Sequence, residues 1–209
     1  MNAVKKNISR RNFIKLGGLT GAALTLGFSF PTKAHAEDDV LLTQHAAEAT
    51  GTELNSWVSI DATGKVTILS HRAEMGQGAY QVVPQMIAEE LEVNLDDVKI
   101  LFAPGNSAKY GSQITGGSST VRGSYKRLMR LGATAREMLI EAAAKKWNVN
   151  TADCYAENGA VIHRASGKKL SYGELVADAS KLTPPTNVKL KNVADYKIIR
   201  KPLPRQDTP

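Results

Sequence analysis

The sequence predicts an α+β fold, a mixed sheet with hairpins and packed helices, on three observations. β-rich runs come in pairs separated by turn residues, 57–61 with 66–70 and 154–156 with 161–163. A single further run, Val98-Lys99-Ile100-Leu101-Phe102, lies between two stretches of helical periodicity. Those stretches, 81–91 and 120–146, are too long for single strands.

In order along the chain, Trp57 to Asp61 and Val66 to Ser70 read as a hairpin around the glycine-containing turn Ala62-Thr63-Gly64-Lys65. Residues 81–91 place Val82, Val83, Met86, Ile87 and Leu91 at helical spacing, with Pro84 in a first turn where its missing N–H is tolerated. The 120–146 pattern sets Val121, Tyr125, Leu128, Ala135, Leu139 and Ala142 on one face. Ser118, Ser119 and Thr120 stand before it as capping residues. Asn150 to Asp153 reads as a short helix start, and Asn158-Gly159 as the turn of a second hairpin. Ser171 and Glu174 have the spacing of a capping box for a short helix reaching Ser180. Beyond Pro184-Pro185 the chain is extended and basic.

Two segments carry candidate chemistry. The first is His71-Arg72-Ala73-Glu74-Met75-Gly76-Gln77-Gly78, where two glycines flank one amide side chain between a strand and a helix. Gly76 and Gly78 can take positive φ and approach a ligand closely, which leaves Gln77 free to present one acceptor and two donors. A tight strand-to-helix turn would use the same residues. The second is Thr115-Gly116-Gly117-Ser118-Ser119-Thr120-Val121-Arg122-Gly123-Ser124-Tyr125. Its orphan backbone N–H groups beside free hydroxyls suit an anion, above all phosphate, although ordinary capping needs no ligand.

Taken together, Glu74 to Gly78 and Thr115 to Tyr125 resemble the large, molybdopterin-binding subunit of the isoquinoline 1-oxidoreductase and aldehyde dehydrogenase type, within the xanthine dehydrogenase family of molybdenum hydroxylases. The resemblance continues through 132–139, 170–175 and 201–207. It implies an incomplete N-terminal part of a larger molybdopterin-binding fold, in residues 55–209. By resemblance, Gly76, Gln77 and Gly78, with Gly117, Ser118, Ser119 and Thr120, contact a molybdenum-molybdopterin cytosine dinucleotide, and Gln77 matches the glutamine beside the metal's oxo ligands. The implied reaction hydroxylates aldehydes or N-heteroaromatics with water as oxygen source. Implied partners are a [2Fe-2S] iron–sulfur small subunit, a c-type cytochrome beyond it, and the remainder of the large subunit.

Two family features are missing: a glycine-rich pterin loop of the F-G-G type, and the glutamate base near the far end of the subunit. The expectation is therefore a fragment or truncated reading frame, inactive alone, with no catalytic residue in this chain. Glu174 is expected to cap a helix, and Glu74 to serve a hinge or an ion pair. The alternative from another class is a non-catalytic periplasmic binding or interaction module on the same fold.

The N-terminus, Ser9-Arg10-Arg11-Asn12-Phe13-Ile14-Lys15, an uncharged stretch of about 15 residues, then Ala34-His35-Ala36, reads as a twin-arginine export signal over 1–36. It is expected to be cleaved after Ala36 and followed by a linker over 37–54. Such substrates are exported folded, so a periplasmic protein carrying a cofactor is expected, with association with the inner membrane as the other outcome. Lys5, Lys6, Arg10, Arg11, Lys15 and Lys33 precede the first acid, so losing them takes the formal charge from +7 to +1. A nucleic-acid partner is not expected, since that needs a basic patch on the folded domain. The one candidate patch, Arg122, Lys126, Arg127, Arg130 and Arg136, is read as a solvated face or a phosphate contact. Cys154, the single cysteine, is expected to be buried and apolar, and no iron–sulfur cluster in this chain can be built from it. His45, His71 and His163 lack metal-ligand spacing, and no protein-ligated metal is assigned.

Overall fold

A computed structural model describes residues 24–27 and 56–205. The expected cleavage site and linker lie outside the described residues. One sheet has the order β1-β2-β3-β4, from β1 (Leu24–Gly27), β2 (Ser56–Ile60), β3 (Val66–Ser70) and β4 (Val98–Phe102). The first two pairings are antiparallel. The β2–β3 hairpin was expected from the sequence. Its turn is fixed by Asp61, whose Oδ1 accepts from the Thr63 and Lys65 backbone N–H groups and the Thr63 hydroxyl. Strand β1 falls within the stretch read as the apolar part of the export signal.

β3 and β4 are parallel, in register from Val66 opposite Val98 to Ser70 opposite Phe102. Parallel neighbours require a crossover. Here it is helix α1 (Ala79–Leu91), which starts two residues earlier than its apolar spacing indicates. Pro84 therefore lies in the second turn rather than the first, and the Tyr80 carbonyl loses its i+4 donor. A short helix α2 (Ser107–Tyr110) precedes α3 (Ser119–Trp147), the long helix. β5 (Cys154–Glu157), β6 (Ala160–His163) and β7 (Lys169–Ser171) form a separate antiparallel sheet. Helix α4 (Tyr172–Ala179) carries the expected capping box, with both Ser171–Glu174 bonds present.

α3 packs along α1 and also meets α4 and the second sheet. Val83, Met86, Ile87 and Leu91 of α1 bury against a core that includes Leu128, Met138 and Leu139 of α3. Each such side chain stabilises the fold by roughly 1.5–3 kcal/mol. Close approach depends on Gly132, where an added Cβ would stand 2.3 Å from the Ile87 carbonyl oxygen. Cys154 is buried, as expected.

Residues 182–205 form no strand and return across α1 as a strap. Two adjacent, fully buried carboxylates hold it. Glu89 accepts from Lys191 Nζ at 2.5 Å and from the backbone N–H groups of Lys197, Ile198 and Ile199. Burial works against its charge, yet these donors outweigh burial and hold its pKa below the ordinary range. Glu90 pairs with Arg136 at 2.7 Å.

Candidate functional site

Because β3 and β4 are parallel and in register, the chain leaves both at the same edge of the sheet. In open sheets the space beyond the carboxyl ends of parallel strands is where ligands bind. The two glycine segments singled out from the sequence meet there. Ala103 N–H donates to the Ser70 carbonyl at 2.7 Å, the Arg72 guanidinium donates to the Ile114 carbonyl, and Thr115 Oγ1 donates to the Ala73 carbonyl at 3.4 Å. Beneath them, His71 Nε2 lies 3.1 Å from Ser124 Oγ on α3.

The first loop is conformationally as expected, with φ of 94° at Gly76 and 85° at Gly78, and a Cβ at either would meet nothing within 4 Å. Gln77 differs from expectation. Its side chain is exposed but turned onto its own loop: Oε1 accepts from Met75 N–H at 2.6 Å and Nε2 donates to the Ala73 carbonyl at 2.7 Å. An amide nitrogen has two protons, so one donor remains beyond that bond. Glu74 makes the expected ion pair only at long range and mainly binds backbone N–H groups. Its Oε1 accepts from Gly76 N–H at 2.6 Å and Gly78 N–H at 3.0 Å, and its Oε2 from Tyr80 N–H at 2.7 Å. Arg205 comes only to 4.0 Å.

The second loop is organised differently. Gly117 and Ser118 are both left-handed, with φ of 59° and 54°. Ser118 occupies the expected capping position of α3 but makes no side-chain capping bond. Ser119 Oγ donates to the Gly116 carbonyl at 2.9 Å, and Arg122 to the Gly117 carbonyl at 3.3 Å. Ordinary capping, one of the two readings open for this stretch, is therefore not what its serines do.

The proposed basic face divides. Arg122, Lys126 and Arg130 are exposed. Arg127 instead stacks on Trp57 at 4.7 Å and donates to the Tyr110 carbonyl at 2.6 Å, while Arg136 is buried with Glu90 and the Lys189 carbonyl. Burial against oppositely charged or carbonyl partners removes these two from any solvated face.

His71 is the site residue that sequence reasoning passed over. Only 2% exposed, it is edge-on to Trp57, and Arg72 Nε donates to its Nε2 at 3.1 Å. With Nε2 accepting, the neutral ring carries its one proton on Nδ1, which is buried without a partner. Burial, then the charges of Arg72 and Arg127, push its pKa down to about 3, so the ring is neutral. Nothing in its spacing announced this.

A cavity of about 580 Å³ opens at the other end of α1, lined in part by Glu89, Glu92, Lys191 and Lys197. These four are already paired with one another. Among the described residues, no three His, Cys, Asp or Glu side chains gather as metal ligands. The loops nonetheless fit a cofactor that brings its own metal. Open glycine faces lie on both sides, and the head of α3 has no side-chain cap.

A model of the molybdopterin cofactor-binding domain matches residues 20–208, and one of the twin-arginine translocation signal matches residues 7–27. The two overlap where β1 lies. The beta subunit of isoquinoline 1-oxidoreductase from Brevundimonas diminuta is 30% identical, over 97% of this chain and 30% of its own length. A membrane-bound aldehyde dehydrogenase (pyrroloquinoline-quinone) from Gluconacetobacter polyoxogenes is 29% identical over 82% of this chain and 21% of its own. Among solved structures, quinoline 2-oxidoreductase from Pseudomonas putida 86 is 29% identical, covers 62% of this chain and 17% of its own, and has a TM-score of 0.47. The chain thus spans less than a third of the length of the curated relatives it matches. With the family match running across nearly all of the sequence and the two expected loops meeting at one sheet edge, the chain belongs to the molybdopterin cofactor-binding domain family, that of the molybdopterin-binding subunits of xanthine dehydrogenase-type oxidoreductases.

Proposed function

We propose that this chain is part of an exported molybdenum hydroxylase that oxidises aldehydes or N-heteroaromatic compounds, and that it contributes one wall of the cofactor site. The observation that carries this is the meeting of the two glycine loops beyond the parallel β3–β4 pair, one presenting Gln77 and the other the uncapped head of α3. The names of the isoquinoline and aldehyde relatives support the two substrate classes. The cofactor, in this reading, is the molybdopterin cytosine dinucleotide. When bound it supplies the oxidation, with water as the oxygen source and two electrons passing to a [2Fe-2S] partner and then to a c-type cytochrome.

The residues of this chain have narrower tasks. Gly76 and Gly78 bring backbone close to the pterin, and Gln77 holds an amide proton toward the reacting end. Gly117, Ser118, Ser119 and Thr120 offer fixed N–H and hydroxyl dipoles to phosphate, which bind a dianion without reorganising. The base that moves the proton lies in the remainder of the large subunit. The twin-arginine signal supports a periplasmic location, reached with the cofactor already in place.

The test is metal and nucleotide analysis of the protein purified from its native host together with its genomic neighbours. We expect molybdenum and cytosine nucleotide in equal amounts, and at least about a tenfold loss of turnover or of bound molybdenum in Gln77→Ala, the order of one hydrogen bond to a charged group. Protein without either component, or a Gln77→Ala variant unchanged in both respects, would overturn the reading. A quinone in place of molybdenum would do so as well.

A further inference from the structure

The loop that presents Gln77 is built around a carboxylate. Gly78 heads α1 but has no side chain with which to cap it. Glu74, four residues earlier, takes that role and binds the N–H groups of Gly76, Gly78 and Tyr80. Gln77 binds the alternate positions, the Ala73 carbonyl and the Met75 N–H. The two side chains thus interleave, and each fixes the backbone from which the other projects. Glu74 is shielded, with its side chain 13% exposed, whereas Met75 and Gln77 face outward.

We propose that Glu74 is the positioning residue for Gln77: its carboxylate is an internal anion at the head of α1 that folds the glycine loop before any cofactor is present. The purpose of that folding rests on the cofactor reading given above. The physical reasons are independent of it. Three donors on one carboxylate are charge-assisted bonds, about twice as strong as neutral ones. A negative group at a helix N-terminus is also favoured by the helix dipole. A carboxylate in that seat repels a second anion, so α1 takes no phosphate and leaves that task to α3. Gln77 is consequently held as a neutral amide whose surroundings do not change when an anionic ligand docks nearby.

The experiment uses the isotopically labelled 209-residue chain without cofactor, read by amide hydrogen exchange and by the side-chain NH₂ resonances of Gln77. In the unmodified protein the amides of Gly76, Gly78 and Tyr80 are protected, and the Gln77 resonances are displaced from those of a free glutamine. In Glu74→Ala all three amides should exchange at least about tenfold faster, the order of one charged hydrogen bond, and the Gln77 resonances should move to the free position. A residue that only capped α1 would free Tyr80 and leave the Gln77 side chain where it was. Glu74→Gln has one acceptor oxygen instead of two. It should protect either the Gly76 and Gly78 pair or Tyr80, but not both, and this keeps the test open if the alanine variant fails to fold. Unmoved Gln77 resonances in Glu74→Ala, or full protection of all three amides in Glu74→Gln, overturn the proposal. Failure of the cofactor reading looks different: it shows as unchanged turnover together with unchanged molybdenum in Gln77→Ala, and the Glu74 result stands apart from it.

Discussion

The loops at 73–78 and 115–120 share glycines, a helix to follow and one edge of one sheet, yet they handle their backbone donors in opposite ways. The first satisfies them internally, through Glu74 and Gln77. The second heads α3 with two left-handed residues and no side-chain cap. Unsatisfied donors at a helix start are stable only where water or a ligand meets them. In the reading proposed above, one loop is a presenter of Gln77 and the other an open seat. The difference shows that glycine content alone does not identify a binding loop; what the neighbouring polar side chains do with the freed N–H groups decides it.

The largest effect is expected where the two loops are tied to a common frame. α1 follows the first loop and α3 the second, and Gly132 sets their separation. A Cβ there would meet the Ile87 carbonyl oxygen at 2.3 Å and Glu90 Cβ at 2.9 Å. Backbone cannot step aside as a flexible side chain can. Gly132→Ala should cost about 1–3 kcal/mol in denaturant unfolding and should disturb the amide shifts of both loops together. If only one loop responds, the helices do not act as a shared frame.

An intermediate effect is expected at His71, which underlies both loops through Arg72 and Ser124. Its folded pKa of about 3 lies well below the ordinary imidazole value of 6.5. As pH falls below 6.5 the unfolded chain takes up a proton that the folded ring refuses. Stability contributed by the neutral ring is thus complete above 6.5 and is lost progressively toward 3. Unfolding free energy measured between pH 6.5 and 5, above most carboxylate titrations, should fall more steeply in the wild type than in His71→Asn. Equal slopes would mean that the ring is not held neutral, and that acid does not reach both loops through one foundation.

Local pairings were legible in the sequence and distant ones were not. The Asn158-Gly159 turn, the Ser171–Glu174 box and the β2–β3 hairpin each depend on residues within a few positions, where residue type dictates backbone geometry. The parallel β3–β4 pair was hidden because a run such as 98–102 carries no mark of direction. Arg136 with Glu90, and Lys191 with Glu89, join residues 46 and 102 apart in sequence, so Arg136, read as part of a solvated face or a phosphate contact, is in fact buried. At the site, the two loops were found from composition. That Glu74 and Gln77 bind their own loop was not, because side-chain direction follows from a backbone whose shape those same bonds create.

The smallest effect on stability, and the sharpest on the comparison, is expected at Gly117. Its φ of 59° is left-handed, and an added Cβ would meet nothing within 4 Å. Gly117→Ala should therefore cost only about 1–2 kcal/mol, the penalty of that conformation for an L residue. Gly159 provides a matched control, with φ of 71° and equally open space, in the hairpin turn between β5 and β6. Both alanine variants should unfold at similar denaturant concentrations. If the second loop is an open seat, only Gly117→Ala should also lower the bound molybdenum of the assembled protein, because its new methyl group stands on the face from which the ligand approaches. Equal molybdenum in the two variants would reduce the second loop to a turn, and the contrast between presenter and seat would fail with it.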